Sequence, residues 1–237
     1  MNSKSGLLLQ LAIALPLILL VMWGRSASEV DTQHHALAPA VEWSMQQSLM
    51  HKAVAGAMPG FAADISVLTV FDIFALSQQL SDNERQPLWH QMYYEIEVAQ
   101  SLDPWFRDTY RLAEGLLAYE AGKMAEAVDI LRQSESYLNS SDPLLVASFL
   151  AHRELHDDNL AIELATLAAT KPDATPFAIG FAARLIHKQN GCDTAVMFLK
   201  SRLLAFPEEY RNSIEAKIQK IQQSPECTES FMPSHRL

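Results

Sequence analysis

Apolar residues recur along most of the chain at the spacing of helices rather than in the alternation of strands. Residues 61–80 are the clearest case, because their apolar side chains cover more than one stripe of a helix. These side chains are Ile65, Leu68, Val70, Phe71, Phe74 and Leu76. We expect a helix here, since a single strand of that length is unusual. Because its apolar side chains cover more than one stripe, we expect an inner helix that is packed on two sides. Residues 40–58 predict a second, amphipathic helix, which carries Val41, Met45, Leu49 and Val54.

Capping residues and prolines predict where the later helices begin. Ser81 and Glu84 match the capping box that opens a helix. Proline, which is favoured in the first turn, marks further starts at Asp103-Pro104, Asp142-Pro143, Pro176 and Pro207. We therefore predict an all-α chain of about nine helices, ending in a flexible tail over residues 224–237.

The amino-terminal segment from Gly6 to Trp23 is uncharged throughout its 18 residues. That length meets the lower limit for crossing a bilayer, and we expect a transmembrane anchor over residues 6–23. A cleaved signal peptide is the alternative, although Ser26-Ala27-Ser28 is a poor cleavage site. Both alternatives export the domain. The expected arrangement is a cytoplasmic stub (1–5), the anchor in the inner membrane, a linker (24–40) and a periplasmic helical domain (41–223).

Three alanines, Ala127, Ala161 and Ala195, follow one another at equal intervals, each early in an apolar helical stretch. Their interval matches the period of about 34 residues that is typical of stacked helix–turn–helix units. Two antiparallel helices approach closely only where the facing side chains are small, so one alanine per unit marks that contact. A generic helical bundle with accidental alanine spacing is the alternative.

The alanine spacing and the residues at fixed positions around it resemble the tetratricopeptide repeat (TPR) family. Gly115, Gly122, Ala127 and Pro207 fall on that family's small, turn and proline positions. Two positions depart from its pattern, since Phe149 and Arg202 stand where small residues are usual. The resemblance implies an antiparallel helix-pair solenoid, clearest over residues 103–207, whose concave surface binds protein segments.

Composition narrows the classes of partner. The formal net charge is −10, and lysines and arginines do not cluster along the sequence. This argues against nucleic acid, which needs a basic footprint.

The chain has two cysteines, Cys192 and Cys227, which would pair in an exported protein or remain as free thiols. They do not have the spacing of a metal site. His152 and His156 share one face of a helix, but they lack the order of a zinc protease and a clear third ligand. We expect no metal, no cofactor and no catalytic residues.

Aromatic residues are densest around residues 89–110, where most should be core and some should anchor a partner. From this region and from the TPR resemblance we select Trp89, Tyr93, Trp105, Arg111 and Glu114 as candidate partner-binding residues. The resulting hypothesis is a non-catalytic, membrane-anchored scaffold that binds a protein partner. The alternative is an accessory subunit of a larger membrane enzyme or secretion complex.

Overall fold

The computed structural model describes residues 58–224 and residue 227. Within this part of the chain the fold is all-helical and contains no strand, as predicted. The helices are α1 (Pro59–Ser77), α2 (Asp82–Leu102), α3 (Arg107–Leu112), α4 (Met124–Tyr137), α5 (Asp142–Arg153), α6 (Asp158–Ala168), α7 (Pro176–Asn190), α8 (Cys192–Leu203) and α9 (Glu208–Gln222). A π-helical segment, Ala113–Glu120, continues α3 without a break.

Each helix packs mainly against its neighbours in sequence, so the chain forms successive helical hairpins. Contacts also join α7 to α9, and α2 to the π-helical segment. One continuous apolar core follows this order, built from leucine, isoleucine and many alanines. Small side chains let the helix axes approach closely, which explains the abundance of buried alanine.

The three equally spaced alanines occupy one structural position. The backbone N–H groups of Ala127, Ala161 and Ala195 donate to the carbonyls four residues earlier, at 3.0, 3.0 and 3.3 Å. Each bond lies in the first turn of the second helix of a hairpin, and all three side chains are fully buried. These three hairpins therefore repeat along the chain at the same interval as the alanines.

The turns inside two successive hairpins are alike. Gly122 has φ +66°, and His156 has φ +55° at the equivalent place in the next hairpin. The third turn differs, because Gly191 (φ +84°, ψ 177°) lies one residue past the equivalent place. In the first two turns the N–H groups of Lys123 and Asp157 donate to carbonyls six residues back, at 3.0 and 2.9 Å. These bonds close the end of the helix in the way that a Schellman motif does, but each spans one residue more than the Schellman bond. The left-handed residue lies within the closed loop. His156 adopts at some cost a conformation that glycine accepts freely.

Side chains also join the loops between hairpins. The Lys171 ammonium donates to the carbonyl oxygens of Glu135 and Leu138, at 2.7 Å each. Lys171 thereby satisfies carbonyl groups at the end of α4, where a cation is favoured. Asp173 accepts from Ser140 Oγ and Ser141 N–H at 2.9 and 2.7 Å. The loop after α6 is thus fastened to the loop that precedes α5.

The small residue that faces Ala161 is Ser148, one place before the position given by the repeat pattern. Ser148 is fully buried, and its Oγ donates to the Ala161 carbonyl at 2.6 Å. Phe149 is turned towards solvent, which explains why a large residue is tolerated there. The assignment of Gly115 to close packing is wrong, because a Cβ built on it would meet no atom within 4 Å. Gly115 lies in the π-helical segment, where the regular helical register is lost.

The predicted helix starts are correct at the Ser81–Glu84 capping box, Asp142-Pro143 and Pro176, and Pro207 is the N-cap of α9. The start predicted at Asp103-Pro104 is wrong. These residues form a turn, with the Pro104 carbonyl accepting from the Tyr110 hydroxyl at 2.7 Å, and α3 begins at Arg107.

Helix α1 is, among the described residues, the helix long and apolar enough to cross a membrane by length and composition. Its face towards α2 is buried through Ala63, Val67 and Val70, so core packing accounts for much of its apolar character. Phe61, Leu68, Phe71 and Leu76 remain exposed on its other side. The predicted anchor at residues 6–23 and the linker lie outside the described residues. So do the helix predicted at 40–58, apart from residue 58, and the tail predicted at 224–237, apart from residues 224 and 227.

Candidate protein-binding groove

Three phenylalanines from two helices line a concave surface. Phe149 comes from α5, and Phe177 and Phe181 come from α7. The ring of Phe181 lies 6.4 Å from each of the other two, measured between centroids. Phe181 is only 4% exposed and forms the floor, whereas Phe149 (40%) and Phe177 (65%) form the walls. We call this surface the phenylalanine groove.

Three cavities meet at the phenylalanine groove. The first, of about 560 Å³, extends from Phe149 and Phe181 towards the end of α5 and the last turns of α7. The second, of about 410 Å³, lies between α7 and α9 beside Phe177 and Phe181. The third, of about 250 Å³, contains all three rings together with Tyr119 and Leu145. Their shared lining makes one extended depression, of a size that receives side chains of a bound segment.

An arginine covers one face of two of these rings. The Arg153 Cζ atom lies 5.8 Å from the centroid of Phe149, one helical turn earlier. The Arg184 Cζ atom lies 5.4 Å from the centroid of Phe181. A guanidinium in this position is attracted to the ring and keeps its N–H groups available at the edge. Both arginines are exposed, and the Arg153 guanidinium also pairs with Glu154, with Nε 4.0 Å from Oε1.

His152 and Asp158 line the first cavity and contact each other there. His152 Nδ1 lies 2.5 Å from Asp158 Oδ1, and Lys188 Nζ lies 3.4 Å from the second carboxylate oxygen. The hydrogen bond from His152 lowers the pKa of Asp158. His152 is therefore engaged with a carboxylate, and His156 closes the turn after α5.

The second cavity is lined by basic side chains. Arg184, Lys217 and Lys220 surround it, and no carboxylate of the described residues lines it. Burial lowers the pKa of Lys217, and the neighbouring Arg184 and Lys220 charges lower it further. The Lys217 side chain lies across Gly180, where a Cβ would overlap Nζ and Cε.

The Cys192–Cys227 disulfide closes this end of the molecule. It joins the start of α8 to the segment that follows α9, and Cys227 is buried. His187 Nε2 lies 3.3 Å from Cys192 Sγ. His187 and the two cysteines are, among the described residues, the group whose ligand atoms lie close enough for a metal. A metal needs thiolates, and the disulfide removes both.

Of the five candidate partner-binding residues, Glu114 lines the groove, and Arg111 lines a separate cavity beside it. Glu114, in the π-helical segment, lines the third cavity and also a smaller one of about 140 Å³ that it shares with Arg111. Burial raises the pKa of Glu114, Asp142 raises it further, and Arg111 opposes this shift.

The other three candidates lie elsewhere. Trp89 is buried in the core, which corrects its assignment to a binding surface. Tyr93 is half-buried, with its hydroxyl 3.4 Å from Glu97 Oε1. Trp105 is 65% exposed and packs edge-to-face on Tyr137 at 5.5 Å. The density of aromatics along the sequence therefore did not locate the groove.

The sequence analysis missed the three phenylalanines and their basic neighbours. One signal was available, since Phe149 precedes Arg153 by four residues and Phe181 precedes Arg184 by three. Both spacings place the two side chains on one face of a helix. Comparisons with protein-family models, with curated proteins and with solved structures give no match for this chain. Function is therefore inferred from the geometry of the groove and the regularity of the hairpins.

Proposed function

We propose that this protein is a non-catalytic, TPR-like scaffold that binds a segment of a partner protein in the phenylalanine groove. The observation that carries the proposal is the groove itself: a recessed Phe181 between two exposed rings on α5 and α7. Exposed aromatic rings around a recess are favoured anchors for a partner. The equivalence of Ala127, Ala161 and Ala195 supports the solenoid part of the proposal, because stacked repeats leave one helix of each pair on a shared face.

The same proposal includes the cellular setting. The uncharged stretch at residues 6–23 anchors the chain in the inner membrane, and the helical domain lies in the periplasm. The Cys192–Cys227 disulfide supports this setting, since such bonds persist in oxidising compartments.

Site-specific photocrosslinking in native membranes tests the proposal. Phe177 (65% exposed) is replaced by p-benzoylphenylalanine, and Met197 on α8 (71% exposed) is replaced in a matched control. We expect a discrete adduct from position 177 that is absent from position 197. No adduct at 177, or the same adducts from both positions, contradicts binding in the groove.

An accessory subunit of a larger membrane complex is the second candidate, and helix α1 favours it. Phe61, Leu68, Phe71 and Leu76 expose an apolar side of α1, which a permanent partner would bury. Purification in mild detergent separates the two functions. A stoichiometric complex supports the subunit, whereas recovery of the chain alone supports a scaffold with exchangeable partners.

A further inference from the structure

Basic residues gather at one end of the phenylalanine groove, although the chain as a whole carries a net charge of −10. Arg153, Arg184 and Lys188 line the first cavity, and Arg184, Lys217 and Lys220 line the second. Asp158 is the one carboxylate of the described residues that lines either cavity. It is already bound to His152 and Lys188. Among the described residues, this end of the groove therefore has a surplus of positive charge.

Lys217 is a partly buried cation that lies near other cations. Its side chain is half-buried against α7, and the charges of Arg184 and Lys220 are close enough to lower its pKa. A partly buried ammonium beside like charges is unfavourable unless an anion joins them. Gly180 has no side chain, and this allows Lys217 to lie across α7. The position of the ammonium thus depends on a backbone feature of the neighbouring helix.

Apolar and basic groups are interleaved in the groove at close range. The Arg184 guanidinium lies over the ring of Phe181, and that buried ring is the floor that both basic cavities share. A ligand that suits both the cations and the aromatic ring has two carboxylates with an apolar side chain between them. Arginine held on an aromatic face presents its N–H groups to a carboxylate in a bidentate manner.

We propose that the basic end of the groove binds an acidic peptide segment, with its carboxylates on Arg184 and Lys217 and an apolar side chain on Phe181. This inference rests on the proposed function and specifies the chemistry of the partner. A peptide fits better than an anionic membrane surface, because Phe181 lies at the bottom of a recess that a lipid surface does not enter. Acidic residues on the partner also raise the rate of encounter with this patch.

Selection from a randomised, displayed peptide library on the full-length chain in detergent micelles tests the inference. We expect the selected peptides to be enriched in Asp and Glu next to an apolar residue. The affinity of such a peptide for the double variant Arg184→Gln/Lys217→Gln should fall by at least about tenfold. The double variant Lys200→Gln/Arg211→Gln, which removes two exposed cations on α8 and α9, is the control matched in charge to the first double variant and should leave the affinity unchanged. Raising the salt concentration should weaken binding to the wild-type chain.

The outcomes separate the two proposals. Selected peptides without excess Asp or Glu overturn this inference and leave peptide binding in the groove intact. Failure to select any peptide overturns both. Equal loss of affinity in the Lys200→Gln/Arg211→Gln control shows a diffuse charge effect and contradicts the specific site. Competition of the selected peptide by anionic lipid added to the micelles, but not by zwitterionic lipid, would assign the cations to the membrane surface instead.

Discussion

The side chain of Lys217 on α9 lies directly across the Cα atom of Gly180 on α7. A Cβ at position 180 would overlap Nζ and Cε and would lie 2.9 Å from Cδ. The overlapped atoms are the end of a flexible side chain, so Gly180→Ala should displace the ammonium without disturbing the helices. Alanine also favours a helix interior over glycine by about 0.5–1 kcal/mol.

We therefore expect Gly180→Ala to keep or slightly raise the melting temperature and to weaken binding of an acidic peptide. Thermal denaturation and peptide titration measure the two effects. A loss of stability above about 1 kcal/mol would mean that the Lys217 side chain cannot move away from the added methyl group. Unchanged peptide affinity would mean that the position of Lys217 does not matter for binding.

Two glycines in the same hairpin should respond to alanine with opposite signs. Gly122 has φ +66°, a conformation that costs an L-residue roughly 1–2 kcal/mol, so Gly122→Ala should destabilise the fold by about that amount. Gly115 has open space around its Cβ position, and Gly115→Ala should stabilise the fold by up to about 1 kcal/mol. Chemical denaturation of both variants tests the pair, and effects of the same sign would contradict the assigned backbone conformations.

Two buried serines form a similar pair. Ser148→Ala removes the hydrogen bond to the Ala161 carbonyl and should cost about 1 kcal/mol. Ser134 is buried, and its Oγ has no hydrogen-bond partner within the described part of the chain, so Ser134→Ala should be neutral or stabilising. Both changes carry the same gain in helix propensity, and the difference between their unfolding free energies isolates the bond. Equal values for the two variants would show that the bond contributes nothing.

The disulfide should contribute strongly to stability. Cys192 and Cys227 are 35 residues apart, and closing a loop of that length stabilises a fold by about 4 kcal/mol through restriction of the unfolded chain. Cys192→Ser/Cys227→Ser should lower the unfolding free energy by roughly this amount. Addition of a reductant should then lower the melting temperature of the wild-type chain and leave the double variant unaffected. A reductant-insensitive wild-type chain would contradict the bond.

Glu114 should make stability depend on pH. Burial raises its pKa in the folded state, so the folded chain favours the protonated carboxyl. The stabilisation from the protonated Glu114 carboxyl is complete below the pKa that Glu114 has in the unfolded chain. It is lost as the pH rises through the higher pKa of the folded chain. Glu114→Gln should therefore raise the melting temperature at pH 7 and have little effect below about pH 4.

Glu215→Gln, at an exposed position on α9, is the control for the change of charge. A lower melting temperature of Glu114→Gln at pH 7 would show that attraction to Arg111 outweighs the cost of burial.

The all-helical fold was predictable because local signals set the helices and their ends. The Ser81–Glu84 capping box and the prolines Pro143 and Pro176 act within one turn of the helix starts that they mark. The groove was not predictable, because it depends on register and on contacts between distant residues. Phe149 faces solvent because α5 presents Ser148 to Ala161, a shift of one residue from the repeat pattern.

Lys217 shows the same limit over a longer distance. Its place beside Gly180 follows from the packing of α9 on α7, which no periodicity in the sequence encodes. The density of aromatics had instead pointed to Trp89, which contributes to the core.

Gly122 and His156 have the same left-handed backbone and are followed by the same first turn of a helix. Residues 123–156 therefore form one structural unit, because the backbone has the same geometry where the unit begins and where it ends. Deleting or duplicating the unit joins equivalent points and preserves both junctions. A chain built in this way can be lengthened or shortened by whole units without a new kind of turn.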